Sequence, residues 1–485
     1  MGVLFFKKRI YCKASPEAYM NCKFAFILPV SVIFFACSES SSPSSSVPAL
    51  SSAVVDPISS SSIIGVESSA SPSVSLPVGA SIAYPDNMYA LWKSKYYVTM
   101  AEEIAAGSTD KILSYFSGTN PARIRWYGTA FGSTPCTISG LNFSSPTVWN
   151  SYQMGCTVSE GIGYGMLITQ FYGDMDAFDA LWTYNKGFRQ ANYFEPYPIT
   201  LMPWGVRGFA DIATSSSYSA ALDADFDVAT ALILAYYKYA AIDATRANAY
   251  LADALNIGNA ILKYGVNTAN WLVYPGDDAM WTNASGAGYG IHNLSYFSPV
   301  ALRLLAMVDV ANAASWNNML TAGYDYMKQV QNNGAGLFPD WSNESYEAAL
   351  AKSGDKNTYF LFNDEAERIP WRIAWDYYWF QSPDAAQVLN KMANFIVTKT
   401  AGSYDALPSN AYAFKDGSLS TKDASSIEHK GSYCLMGFAG ATDWLNNCAA
   451  SFNASPMTST YTNYYPDNLQ LLFSQLMNGR FIRPF

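Results

Sequence analysis

Three stretches of this 485-residue chain place carboxylates where they could do chemistry. The first is Glu160 in CTVSEGIGYGMLI, with Ser159 placed where it would cap a helix beginning after it and Gly161, Gly163 and Gly165 following. A carboxylate at such a turn is displayed rather than buried, and the glycines admit a ligand or a second helix close to the backbone. The same acid is also what a helix N-terminus favours through its dipole. The second stretch is ALDADFDVATALILA, with Asp223, Asp225 and Asp227. It fails the EF-hand pattern, having neither the loop Gly nor the closing Glu. Asp223 is the better groove residue, and Asp225 and Asp227 read as helix-start acids. The third is NDEAERIPWRIAWDYYWF, which holds Asp364, Glu365, Glu367, Arg368, Arg372 and Asp376. Acids alternating with arginines ahead of a Trp/Tyr-rich helix build either a structural ion-pair network or a polarised, water-binding corner of a groove. Spacing does not choose between them.

The remaining composition narrows the chemistry. His292 and His429 are the only histidines, and no CxxC spacing occurs. A Ser-His-Asp triad or a His-based metal site has almost no material, so neither a metal nor a cofactor is expected. The formal charge is −9 with 14% charged residues, which leaves no electrostatic footprint for nucleic acid or an anionic membrane. The 35 Tyr and 13 Trp supply rings with a polar edge. These suit either a wet groove for a neutral polyhydroxylated ligand or an aromatic-rich core. An acidic, His-poor protein leaves carboxylates as the working groups. Glycoside hydrolysis needs two of them, a protonated acid for the leaving oxygen and a base or nucleophile on the other face. Their surroundings must push their pKa values apart.

Other segments bear on compartment and on the elements that hold these acids. Phe24–Ala36 is an apolar run of 13 residues preceded by Lys7, Lys8, Arg9 and Lys23, with the dimensions of a signal h-region. It ends in Ala36-Cys37-Ser38, which resembles a bacterial lipoprotein cleavage site, although Phe34 stands where Leu is usual. Residues 1–37 are therefore read as a leader, leading to an envelope anchor through Cys37 or to free secretion. Residues 38–79 form a Ser/Pro-rich linker, and 80–485 a single large domain. That body holds Cys136, Cys156, Cys434 and Cys448. An even number in an exported chain points to disulfides, with 136–156 and 434–448 the preferred pairs. Apolar periodicity predicts helices near 87–106, 162–173, 176–192, 226–241, 245–263, 298–312, 314–331, 371–380, 383–399, 442–452 and 466–478. Paired helices without the fixed repeat of a solenoid suggest an all-α toroid whose loops build a groove at one end.

SEGIGYGML, ALDADFDVA and EAERIPWRIAWDY, in this order, resemble glycoside hydrolase family 8. LMPW (201–204), NLSYFSP (293–299), GLFPDW (336–341) and YYPDNLQLL (464–472) extend the resemblance over about 87–485. It implies an (α/α)6 barrel and an inverting mechanism on β-1,4-linked glucan, xylan, chitosan or mixed-linkage glucan. It places Glu160 at the general acid and Asp223 at the aspartate that grips the sugar in subsite −1. The family's base is the Asp of a Tyr-Asp-Ala-x-Arg motif, which here reads Asp364-Glu365-Ala366-Glu367-Arg368. Ala366 and Arg368 fix the register, so Glu365 stands at the Asp and Asp364 at the Tyr. The departure leaves Glu365, Asp364 and Asp376 as candidate bases, with Glu365 preferred and Asp376 read chiefly as a structural helix acid. Trp204 is expected to stack on a sugar, Tyr296 to orient the water or the −1 sugar, Arg368 to bind substrate and Trp371 to pack in the core. With the leader, the resemblance leads to the expectation of an exported endo-β-1,4-glycanase, a monomer, acting on a β-linked polysaccharide or oligosaccharide. An endoglucanase comes first, and a xylanase or mixed-linkage glucanase is the alternative. The altered pair at 364–365 also admits a non-catalytic glycan-binding surface protein.

Overall fold

The computed structural model describes residues 76–485 except 79, 82, 127–129, 132–133, 141–154, 191–200, 211–218, 352–354 and 458–462. The leader, Cys37 and most of the Ser/Pro-rich segment lie outside the described residues. Twelve helices of nine residues or more follow one another among the described residues. They are α1 (Ala83–Tyr96), α2 (Ser159–Tyr172), α3 (Met175–Gln190), α4 (Leu222–Tyr239), α5 (Ala244–Tyr264), α6 (Pro299–Val308), α7 (Ala313–Asn333), α8 (Ile369–Phe380), α9 (Pro383–Thr400), α10 (Ile427–Leu435), α11 (Thr442–Asn453) and α12 (Tyr464–Met477).

Even- and odd-numbered helices differ in sequence and therefore in place. In α2 and α12, 12 of 14 residues are buried. In α5 and α7 only 8 of 21 are, along one stripe. A helix apolar on all sides belongs inside, and an amphipathic one belongs at the wall. The even helices accordingly form an inner ring in which α2 meets α4, α4 meets α6, α6 meets α8, α8 meets α10, α10 meets α12 and α12 returns to α2. Each odd helix packs on an even one, α1 on α12 and the others on the helix just before them. This is an (α/α)6 barrel. Short antiparallel ribbons decorate its loops. The inner helices come close because α2 carries glycines: a Cβ on Gly163 would lie 3.0 Å from the Asp227 Cβ on α4.

The structure corrects the expected elements in three places. The helix expected over 87–106 is broken, because Tyr97–Thr99 pairs as a strand with Ala122–Ile124. Thr99 then opens a new short helix, Met100–Ala105, through a capping box with Glu102. Helices α2 and α4 begin at Ser159 and Leu222, ahead of their expected starts, so Glu160 and Asp223 fall inside first turns. Helix α10 was not expected at all. Its sequence, IEHKGSYCL, has no apolar stripe, and its buried residues include Glu428, His429 and Ser432. The Cys434–Cys448 disulfide ties it to α11, and a Cys136–Cys156 disulfide anchors the strand before α2, as the spacing predicted.

The last helix closes the ring on the first. Trp92 Nε1 donates to Asn468 Oδ1 at 2.9 Å, Tyr96 donates to Asp467 at 2.5 Å, and the buried Lys95 is ion-paired with Asp467. Taking one partner from a buried ion pair costs about 3–5 kcal/mol, because the other charge stays behind. Asp467→Ala should lower the unfolding free energy by that order, read as a lower denaturant midpoint with little change in m-value. A midpoint equal to wild type would show that this pair does not hold the closure.

Candidate active site

All six inner helices point their N-termini to the same end of the barrel, and the candidate residues sit there. Strand Cys156–Val158 pairs with Gly205–Arg207 and leads directly into α2. Glu160 is thus the second residue of α2, and the Ser159 N–H donates to the Trp204 carbonyl at 2.9 Å. Asp223 is the second residue of α4. Asn293 and Tyr296 lie in the turn before α6. Glu365 precedes and Arg368 ends a short 3-10 turn, Ala366–Arg368, that runs into α8. Tyr464 opens α12.

One guanidinium joins these groups. Arg368 is almost wholly buried, and its Nη1 donates to Glu160 Oε2 at 2.7 Å and to Asp223 Oδ2 at 2.8 Å. Its Nη2 is paired with Glu365 Oε2. The Tyr296 ring lies 5.5 Å from the guanidinium. Two of the three carboxylates have a second support, and Asp223 Oδ1 is buried without one. Tyr464 donates to Glu160 Oε1 at 3.1 Å, and Asn293 Nδ2 donates to Glu365 Oε2 at 2.6 Å. Gly161 makes room for the former: a Cβ there would come within 2.7 Å of the Tyr464 hydroxyl. Asp340 Oδ1 accepts from the N–H groups of Asn363, Glu365 and Ala366 at 3.0–3.2 Å and so fixes the turn that carries Glu365.

The structure separates the three candidate bases. Glu365 shares Arg368 with Glu160 and Asp223. The Asp364 side chain is exposed, its carbonyl accepts from Tyr465, and its charge helps to raise the carboxyls of Glu367 and Glu428. Asp376 is held by Arg303 at 2.6 and 3.2 Å and by Tyr324 at 2.6 Å, as a structural acid. Asp225 and Asp227 are buried rather than simple helix-start acids. Asp227 takes both arms of Arg372, at 2.7 and 3.0 Å, and Asp225 receives the Met202 N–H. Trp204 keeps 37% of its surface exposed beside the start of α2, whereas Trp371 is fully buried. Asn293, Asp340 and Tyr464 lie within motifs quoted above, yet an amide, a lone acid and a tyrosine carry no pattern that marks them as site residues.

Burial pushes the Glu160 carboxyl up to about 7; Arg368 opposes this, and the charges of Asp223 and Glu365 add to it. Burial likewise raises Asp223 to about 6 against the pull of Arg368 and Arg372. One guanidinium does not neutralise three carboxylates, so the cluster retains a proton near neutrality.

Residues 149–479 match the family described as glycosyl hydrolases family 8. The chain belongs to this family. The family 8 chain is 31% identical to Endoglucanase 2 of Ruminiclostridium josui over 239 residues, 49% of this chain and 46% of that protein. It is 29% identical to Endoglucanase C of Ruminiclostridium cellulolyticum over 309 residues, 64% of this chain and 56% of that protein. It thus spans about half the length of these relatives. Its fold is similar to that of the apo β-1,3-1,4-glucanase from Paenibacillus sp. X4. That match has a TM-score of 0.64 and 22% identity, over 84% of this chain and 96% of that one.

A carboxyl whose folded pKa lies above its unfolded value stabilises the fold fully below the unfolded pKa, and this contribution is lost as pH rises through the folded one. Between about pH 4.3 and pH 7 the family 8 protein should therefore lose stability relative to Glu160→Gln, which cannot titrate. Parallel stability–pH curves for the two proteins would show that Glu160 is not raised.

Proposed function

We propose that this chain is an exported inverting endo-β-1,4-glycanase, an endoglucanase. The convergence of Glu160, Asp223 and Glu365 on the Arg368 guanidinium carries the reading. It supports division of labour between carboxyls in different settings. Glu160, raised to about 7, is protonated in mildly acidic solution and gives its proton to the glycosidic oxygen as the bond to C1 breaks. Glu365, held by Arg368 and Asn293, takes a proton from a water that attacks C1 from the opposite face. Asp223, fixed by the same guanidinium, grips hydroxyls of the sugar whose C1 reacts. The half-exposed Trp204 ring offers a platform for a sugar face. The endoglucanase names of the two relatives support β-glucan as substrate. The two disulfides support an oxidising compartment, reached as an envelope lipoprotein or a secreted protein.

The base assignment is tested by substitution. Glu365→Gln should still bind cello-oligosaccharides while turnover falls by ~10²–10⁴-fold, the usual loss of general acid–base help. Glu365→Asp restores the usual family residue and should remain active, and Asp364→Asn should cost far less than Glu365→Gln. A dead Asp364→Asn beside a healthy Glu365→Gln would move the base by one residue. A wild type inert on every β-glycan tried would replace the enzyme with a glycan-binding protein. Stereochemistry is read separately, by proton NMR during the first minutes of hydrolysis. The α-anomer should form first, and an initial β-anomer is incompatible with inversion.

A further inference from the structure

A second cluster of titratable groups lies behind the turn that carries Glu365 and Arg368. Glu367, in that turn, is wholly buried, and it meets the buried Glu428 and His429 at the start of α10. One ligand-capable atom from each of the three lies within 4.8 Å of the others. His429 Nδ1 is 2.7 Å from Glu367 Oε2, 3.9 Å from Glu428 Oε1 and 3.0 Å from Ser426 Oγ. Glu367 Oε1 and His429 Nε2 are buried with no hydrogen-bond partner. Asp364, on the exposed side, adds negative charge that acts on all three residues. Arg368 opposes this at Glu367, but it is already shared among three other carboxylates. Buried carboxylates in such a setting require either protons or a cation.

We propose that Glu367, Glu428 and His429 bind a divalent transition cation such as Zn2+. An imidazole with carboxylates is a donor set for such ions. Ligands ~2.1 Å from a tetrahedral cation stand about 3.4 Å apart, between the 2.7 and 3.9 Å contacts that His429 Nδ1 makes to the two glutamates, so adjustments of side chains close the cluster around it. Coordination at His429 Nδ1 transfers that nitrogen's proton to the open Nε2, and a proton held on either glutamate leaves to solvent. The site bears on the reaction proposed above. Glu367 shares a single turn with Glu365 and Arg368, so a cation on Glu367 would pin the proposed base from behind.

The test uses the full chain, stripped with a chelator and reloaded with Zn2+, Mn2+ or Ca2+ in turn. Metal content after gel filtration and melting temperature are read together. One of these cations should be retained at about one per chain and raise the melting temperature by several degrees. Glu428→Gln and His429→Gln should each lose both effects. If turnover also depends on the site, it falls several-fold in the stripped wild type. Equal melting temperatures for stripped and reloaded protein, or retention that survives both substitutions, would overturn the proposal and leave a shared proton as the cluster's counter-charge. Stoichiometric binding by a protein inert on all β-glycans would sink only the proposed function.

Discussion

The structure depends on keeping one buried guanidinium satisfied. An isolated charge taken out of water costs several kcal/mol even after the protein relaxes. Arg368 is tolerated because carboxylates from α2, α4 and its own turn reach it. Those acids belong to separate helices whose N-termini meet only when the inner ring is closed. One turn further along, the arrangement repeats. Asp227 follows Asp223 by four residues on α4, Arg372 follows Arg368 by four on α8, and the second pair is bidentate. The matched helical spacing sets two rungs of opposite charge between the same two helices. The upper rung reaches solvent through Glu160 and Glu365, and the lower one, also bonded to Ser298, is sealed in the core. Site and scaffold are thus parts of one polar column.

The column has more acids than its arginines neutralise, and that excess is useful. Glu160 and Asp223 are drawn toward ionisation by Arg368 and away from it by burial and by their acidic neighbours. Helix N-termini would by themselves favour the anions. At Glu160 the desolvation cost prevails, which keeps a transferable proton where a leaving group would need one. Asp225, between Asp223 and Asp227 in sequence, stays out of the column. It points to the Met202 backbone, because residues two apart do not share a helix face.

Much of this was legible in the sequence. The acids Glu160, Asp223 and Glu365, the core position of Trp371, both disulfides and most of the helices could be named from residue types, spacing and ordered motifs. Legibility failed where side chains act singly or over long range. Nothing in IEHKGSYCL announces a helix, because its stability comes from the inner ring and the Cys434–Cys448 link rather than from an apolar stripe. Tyr464 becomes part of the site only because α12 returns to α2, some 300 positions from Glu160. Asp340 acts through backbone N–H groups, which leave no trace in side-chain pattern. The break after Tyr96 was written in Thr99 and Glu102, but the apolar residues around them masked it.

Ring closure also settles where the chain joins the barrel. Because α12 runs away from the groove, its C-terminal end lies on the far face, where Asn478 accepts from the Ser81 N–H and Arg480 pairs with Asp86. Phe485 packs near the trailing ends of α4 and α8, against Tyr237 and Trp379. Both ends of the described chain therefore emerge from the back of the barrel. A module attached to either described end would start from the face opposite Glu160, Asp223 and Glu365, so the attachment point would leave those residues open to the polysaccharide of the proposed reaction.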